Sequence, residues 1–300
     1  MTTTPRKNPD LRRKLIIQQA EKVLRDEGLE DLGVDPIALA ERHDILVQAK
    51  PDTAPGVSGM LMHVNTTFGI LYATHITNDG FQRFSIAHEL GHYFLAGHPE
   101  HLFAGGAQMH ASKAEFASAD PFEREADYFA SGLLMPSAPF ERALRREQEG
   151  LGAVLSLAGQ CRCSLSATAI RYADLTSDPA AVVISQGGTV EFAFLSESMK
   201  GLSDVVWPRK DSALPGRSRT AKLNADLSRV QAADRDEGDA DLSDWLGGRS
   251  VKGYEEVIGL GRYGKTLTVL TTGSLPDPTY GADDDDEETL LESWTPRFKK

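Results

Sequence analysis

The 300-residue sequence predicts an α+β fold in two folded parts. Two observations predict it. Up to about residue 178, capped helical segments surround a single strand hairpin. Beyond Asp178 the texture turns to hairpins. The charge is confined to two acidic segments, so it says little about either folded part.

Forty per cent hydrophobic content supplies a real core. Residues 9–28 place Leu11, Leu15, Ile16, Ala20, Val23 and Leu24 at helical spacing. Val34-Asp35-Pro36 starts a second helix, about 35–43. Val57–Val64 and Phe68–Ile76 read as a hairpin around Asn65-Thr66-Thr67, and Asn78-Asp79-Gly80 as a turn. A helix is expected from Arg83 to Ala96, stopped by Gly97. Residues 98–119 read as a loop. Asp120-Pro121 opens the next helix as N-cap and first helical residue, and Pro136 closes it. Residues 139–149 and 152–176 read as helical, the latter broken near Cys161–Ser164.

Beyond Asp178, Val182–Ser185 with Thr189–Leu195 and Tyr254–Gly261 with Lys265–Thr272 read as two hairpins. The polar sequence between them has weak helical signal. The expected division is 1–150, a helical segment 151–178 with helix-turn-helix rhythm, a mixed α/β C-terminal domain 179–275, and an acidic disordered tail 276–300.

The net charge is -12. Residues 234–244 hold six acids and one arginine, and Asp283–Glu288 are all acidic, so the remainder is close to neutral. Both segments read as solvated, and strong nucleic-acid binding, which needs a basic face, is disfavoured. The two cysteines, Cys161 and Cys163, are too few for a disulfide framework, and no second pair completes a metal site. With no long apolar run and no secretory pattern at the start, the expected setting is the cytoplasm, with no membrane partner.

The chemistry concentrates in His88-Glu89-Leu90-Gly91-His92. Two histidines four apart on a helix lie about 40° apart and one turn up, so both imidazoles reach one tetrahedral metal. Glu89 beside the first of them is placed as a general base. Phe84, Ala87, Phe94 and Leu95 make the helix apolar, and unpaired imidazoles there would be costly.

A catalytic zinc wants a third protein ligand, for which three side chains compete. His98 lies six residues after His92, but Leu95 stands where a chain-turning glycine would be needed. Glu123 is favoured. Glu123 and Asp127 share one helical face beside the stripe Phe122, Ala126, Phe129, Ala130 and Leu133. Asp127 is then the acceptor that fixes a ligating imidazole's tautomer. Glu123 also stands where a capping box would use it, three residues after Asp120. Glu125 is the third candidate and points about 200° from Glu123.

Arg83-Phe84-Ser85-Ile86-Ala87-His88-Glu89-Leu90-Gly91-His92, with Glu123-x-Glu125-Ala126-Asp127-x-Phe129-Ala130-x-x-Leu133-Leu134-Met135-Pro136, resembles the ImmA/IrrE family of metallopeptidases over about residues 10–176. The resemblance implies a zincin-like domain with a thermolysin-like (gluzincin) zinc site. It implies His88, His92 and Glu123 as zinc ligands and Glu89 as the general base. It also implies a zinc metalloendopeptidase that cuts a helix-turn-helix (XRE-type) transcriptional repressor, relieving repression in a stress or mobile-element response. Some members carry a GAF-like sensor domain at the C-terminus, a role open to residues 179–275.

For the oxyanion, Tyr93, His98, His101, His110, Arg171 and Tyr172 are all chemically able, and the sequence does not choose. Strand Phe68–Ile76, if at a sheet edge, would hold substrate by strand addition. Two other readings compete. One is DNA binding through 152–176, where Arg162, Arg171, Asp174 and Asp178 leave no net charge. The other is a repressor-docking module whose metal site does not cut.

Overall fold

The computed structural model describes residues 9–51, 56–113, 120–202 and 204–273. The expected acidic tail lies outside them. The chain forms two compact units. One holds the described residues up to Phe140 with Gly159–Ser164, and the other holds Glu141–Ala158 with the described residues from Leu165 onward.

In the first unit, helices α1 (Pro9–Asp26) and α2 (Pro36–Arg42) are followed by strands β1 (Leu46–Lys50), β2 (Val57–Val64) and β3 (Thr67–Ala73). Asp35 caps α2 by accepting from the Ile37 amide at 3.0 Å. The β2–β3 hairpin turns at Asn65, whose φ of 56° suits an asparagine. Helix α3 (Asp79–Phe94) begins four residues before the expected Arg83. Asn78 is its N-cap, accepting from the Phe81 amide at 3.0 Å, so the polar triplet starts a helix instead of making a turn. Gly80 is there for close approach, because a Cβ would stand 2.7 Å from the Ser164 nitrogen.

The expected loop 98–119 contains structure. Helix α4 (His98–Leu102), a 3-10 turn (Ala104–Gly106) and strand β4 (Met109–Lys113) follow one another. The sheet order is β1-β3-β2-β4, with β1 parallel to β3 and the other pairs antiparallel. Strand β3 is therefore interior, and the edges among the described strands are β1 and β4. Strand addition on Phe68–Ile76 is excluded because both of its sides are already paired.

Helix α5 (Pro121–Leu134) starts as expected, with Asp120 accepting from the Phe122 amide at 2.9 Å. Helix α3 packs on β2 and β3 and also on α5, and α5 packs on α1. Leu90 and Leu133 are fully buried in these layers, each contributing roughly 2 kcal/mol of burial. The helices touch because small residues stand at the crossings. A Cβ on Gly91 would lie 3.0 Å from the Ala126 Cα, and one on Gly132 the same distance from the Ile17 Cα.

Helices α6 (Ser137–Leu144), α7 (Leu151–Cys161) and α8 (Leu165–Leu175) come next, and the break expected near Cys161–Ser164 falls at 162–164. Then follow β5 (Ala180–Gln186), β6 (Thr189–Leu195), α9 (Glu197–Lys200), α10 (Arg219–Asn224), α11 (Leu227–Gln231), β7 (Arg235–Asp241), α12 (Ser243–Leu246), β8 (Lys252–Gly259) and β9 (Lys265–Thr271). They build a wholly antiparallel sheet in the order β6-β5-β9-β8-β7. One core joins Val154, Ala169, Tyr172, Val182, Ile184 and Val269. A second, from the alternate residues of the same strands, joins Ala181, Val183, Trp245, Leu246 and Leu270. The acidic segment 234–244 is largely strand β7. It pairs with β8 at the sheet edge, its side chains exposed or half-buried.

Candidate metal centre

Helix α3 carries His88, Glu89 and His92, and α5 carries Glu123 and Asp127. Close packing at Gly91 brings the two helices together, and with them the five side chains. His88, His92 and Glu123 each offer a donor atom, all within 4.8 Å of one another. The two Nε2 atoms stand 3.1 Å apart. Glu123 Oε2 lies 3.4 Å from His88 Nε2, and its Oε1 lies 3.3 Å from His92 Nε2. The Glu123 carboxylate is thus directed at the imidazoles.

The far side of His88 is held by Asp127, whose Oδ1 accepts from His88 Nδ1 at 2.8 Å. This turns Nε2 toward His92 and Glu123, where the neutral ring presents a lone pair. His92 is held differently. Its Nδ1 meets the Nδ1 of His98 at 3.0 Å, and His98 Nε2 meets Glu125 Oε2 at 3.3 Å. Neither His98 nor Glu125 joins the donor group; both stand behind His92. Helix α3 ends at Phe94, and Gly97 at φ 88° turns the chain so that His98 comes back under the site, 1% exposed.

Glu89 is fully buried; neither carboxylate oxygen makes a hydrogen bond of full geometry among the described residues, though the Ser112 hydroxyl is near enough to lower its pKa. It lies against β2 at Gly59, where a Cβ would stand 2.6 Å from Oε1. Burial pushes its carboxyl up to about 7, opposed by the charge of His88. Burial pushes His92 down to about 3. For His88 burial also lowers the value, but Asp127 and Glu123 outweigh it and raise it well above the ordinary range. Glu123 is held well below the ordinary carboxylate range. Burial alone would raise it, and the contacts with His110, His88 and His92 overcome that.

This donor set fits a divalent cation. Two imidazole nitrogens and a carboxylate converge in a largely buried site, as a zinc site with three protein ligands requires. The buried carboxylate of Glu89 is the group that a nearby cation would stabilise as an anion.

Among the oxyanion candidates, His110 on β4 reaches the cluster, with Nε2 2.9 Å from Glu123 Oε1 and 23% of its side chain exposed. Tyr93 packs on Phe68 and Phe94, and His101 stacks on Phe122 at 4.0 Å. Tyr172 is buried in the other unit's core, its hydroxyl accepting from the Gly150 amide. Arg171 pairs with Asp174 at 3.2 Å. The sequence pattern missed β4, and with it the place of His110. It also missed Gly59 and Gly91, whose signal is only that each precedes or faces a chemistry-bearing residue. Cys161 and Cys163 form no disulfide among the described residues; Cys163 Sγ donates to the Cys161 carbonyl at 3.5 Å, and burial pushes Cys163 up to about 12.

No helix among the described residues is long and apolar enough to cross a membrane. No curated protein matches the sequence. Among solved structures, a Mycobacterium tuberculosis transcriptional regulator is similar in fold, with a TM-score of 0.54 at 15% identity over 86% of this chain and 76% of that one. The model of the IrrE N-terminal-like domain matches residues 40–172, which span β1 to most of α8 and include all five site residues. Residues 40–172 of this chain are therefore an IrrE N-terminal-like domain of the ImmA/IrrE family, peptidase family M78.

Proposed function

We propose that the protein is a zinc-dependent endopeptidase that cuts a protein substrate, with a helix-turn-helix transcriptional repressor as the expected target. The observation that carries this is the convergence of His88, His92 and Glu123 beside the buried carboxylate of Glu89. Zinc bound there supplies a Lewis acid that polarises the scissile carbonyl and lowers the pKa of water from 15.7 toward about 7.

The chain's own residues do the rest. Glu89 takes the proton of the attacking water and delivers it to the leaving amine. Its dry pocket, closed by Gly59, raises its basicity and holds it against the site. Asp127 keeps the His88 lone pair turned inward. His110, on β4, is the candidate donor to the developing oxyanion, once its Nε2 turns from Glu123. Edge strand β4 is the place for an extended peptide to pair, because His110 stands on it and, among the described strands, only β2 pairs with it. In the second unit, a five-stranded antiparallel sheet with a core on each face is consistent with a GAF-like sensor.

The DNA-binding reading has less support. Helix α8 turns Ala169, Tyr172 and Ala173 into a core, and its one exposed residue is Asp174, an acid. The 15% identity to a transcriptional regulator carries the fold alone. The test is to incubate the purified protein with a candidate helix-turn-helix repressor, with and without chelator, and to read intact masses. Chelator-sensitive cleavage supports the proposal. A repressor that binds but stays whole in the presence of zinc favours the docking module.

A further inference from the structure

Two imidazoles face the same donor centre, yet they are supported in different ways. His88 is backed directly by a carboxylate. Behind His92 stands a second imidazole, then a carboxylate, then a guanidinium. His92 Nδ1 meets His98 Nδ1 at 3.0 Å, and His98 Nε2 meets Glu125 Oε2 at 3.3 Å. Arg12 on α1 grips Glu125 with two bonds, Nε to Oε1 at 2.7 Å and Nη2 to Oε2 at 2.6 Å.

The protons along this chain can be placed one by one. Arg12 can only donate, so Glu125 is held as an acceptor on both oxygens. Glu125 therefore accepts a hydrogen bond from His98 Nε2–H. A neutral His98 then has a lone pair on Nδ1, which accepts from His92 Nδ1–H. That leaves His92 with its lone pair on Nε2, the atom facing His88 Nε2 and Glu123. Each group along the line has one role, and the roles are set from the arginine inward.

We propose that Arg12, Glu125 and His98 form a positioning relay that fixes the tautomer and ring orientation of His92 for metal binding. This rests on the metal reading of the site. Helix α1 lies outside residues 40–172, so the domain borrows this support from a neighbouring helix. Burial makes the relay effective. His98 is 1% exposed and His92 fully buried, so no water replaces a missing partner.

The test is zinc and cobalt affinity of the full chain, by competition with a chelator, for wild type, His98→Phe, His98→Gln and Arg12→Met. Apo-state melting and long-range proton–nitrogen spectra of the histidines are recorded alongside. His98→Phe lowers affinity about tenfold or more. Glutamine can accept from His92 and donate to Glu125, so His98→Gln recovers affinity to within about threefold of wild type. Arg12→Met, at the relay's half-exposed outer end, leaves the core intact and still lowers affinity by about threefold or more. In the zinc-loaded wild type and His98→Gln, His92 carries its proton on Nδ1.

If wild type binds metal and neither His98→Phe nor Arg12→Met binds it less well, the relay is overturned while the metal reading stands. If His98→Gln is as weak as His98→Phe, the role of His98 is packing and the relay fails. If His98→Phe does not fold, Arg12→Met alone decides. A wild type that binds neither metal overturns the metal reading, and the relay with it.

Discussion

His88 Nδ1 and Asp127 Oδ1 stand 2.8 Å apart, one on α3 and the other on α5. Burial raises the carboxyl of Asp127, and the hydrogen bond from His88 offsets that only in part. The bond holds the imidazole with its free lone pair facing the donor cluster. Replacing Asp127 by Ala is expected to lower zinc affinity about tenfold to a hundredfold. Chelator competition on the folded variant measures it, and unchanged affinity would remove Asp127 from the site.

Glu89→Gln is expected to bind zinc as tightly as wild type while kcat for repressor cleavage falls about a hundredfold to ten-thousandfold. The amide keeps the volume but cannot take the water proton. Cleavage at the wild-type rate would refute Glu89 as the base.

Gly59→Ala should mimic that loss from a distance. Its methyl group would stand 2.6 Å from Glu89 Oε1 and 3.2 Å from Cγ, so the carboxylate must move. The metal donors lie elsewhere. Zinc affinity is expected to change by less than about threefold while cleavage falls at least about tenfold, in the range of a misplaced general base. Titration calorimetry and cleavage assays on the same preparation separate the two effects.

Gly91→Ala sets two effects against each other. Alanine in a helix interior gains about 1 kcal/mol over glycine. The new methyl meets the Ala126 Cα at 3.0 Å, its carbonyl oxygen at 3.1 Å and the Phe129 Cβ at 3.2 Å. Backbone cannot yield as a flexible side chain does, and overpacking costs about 1–3 kcal/mol. The clash is expected to win. The variant should show a lower melting temperature and weaker zinc binding, because α5 carries Glu123. A melting temperature above wild type would show that the helices have room.

Much of this site was legible before the structure. The four-residue spacing of His88 and His92 needs only helical geometry, and Asp120-Pro121 marks the start of α5 by capping chemistry alone. Helical spacing also made Glu123 and Asp127 neighbours. The relay behind His92 was not legible. It depends on the chain reversing at Gly97 and on a contact between residues 12 and 125, which no local pattern encodes. Strand β4, Met109–Lys113, lacks strong alternation because it sits at an edge with a polar residue turned to the site. Strand β7 is acidic along its length and exists through backbone pairing with β8, a long-range term that composition hides. Asn78-Asp79-Gly80 misled because the residues that favour turns also favour helix N-caps.

Elemental analysis of the purified protein tests the central claim most directly, comparing wild type with His92→Ala. The account predicts close to one zinc per chain in wild type and almost none in the variant. It also predicts that stripping the metal lowers the melting temperature, as loss of a ligand bound only to the folded state must. A wild type that holds no divalent metal, even after incubation with zinc, or a His92→Ala variant that holds as much as wild type, would contradict it.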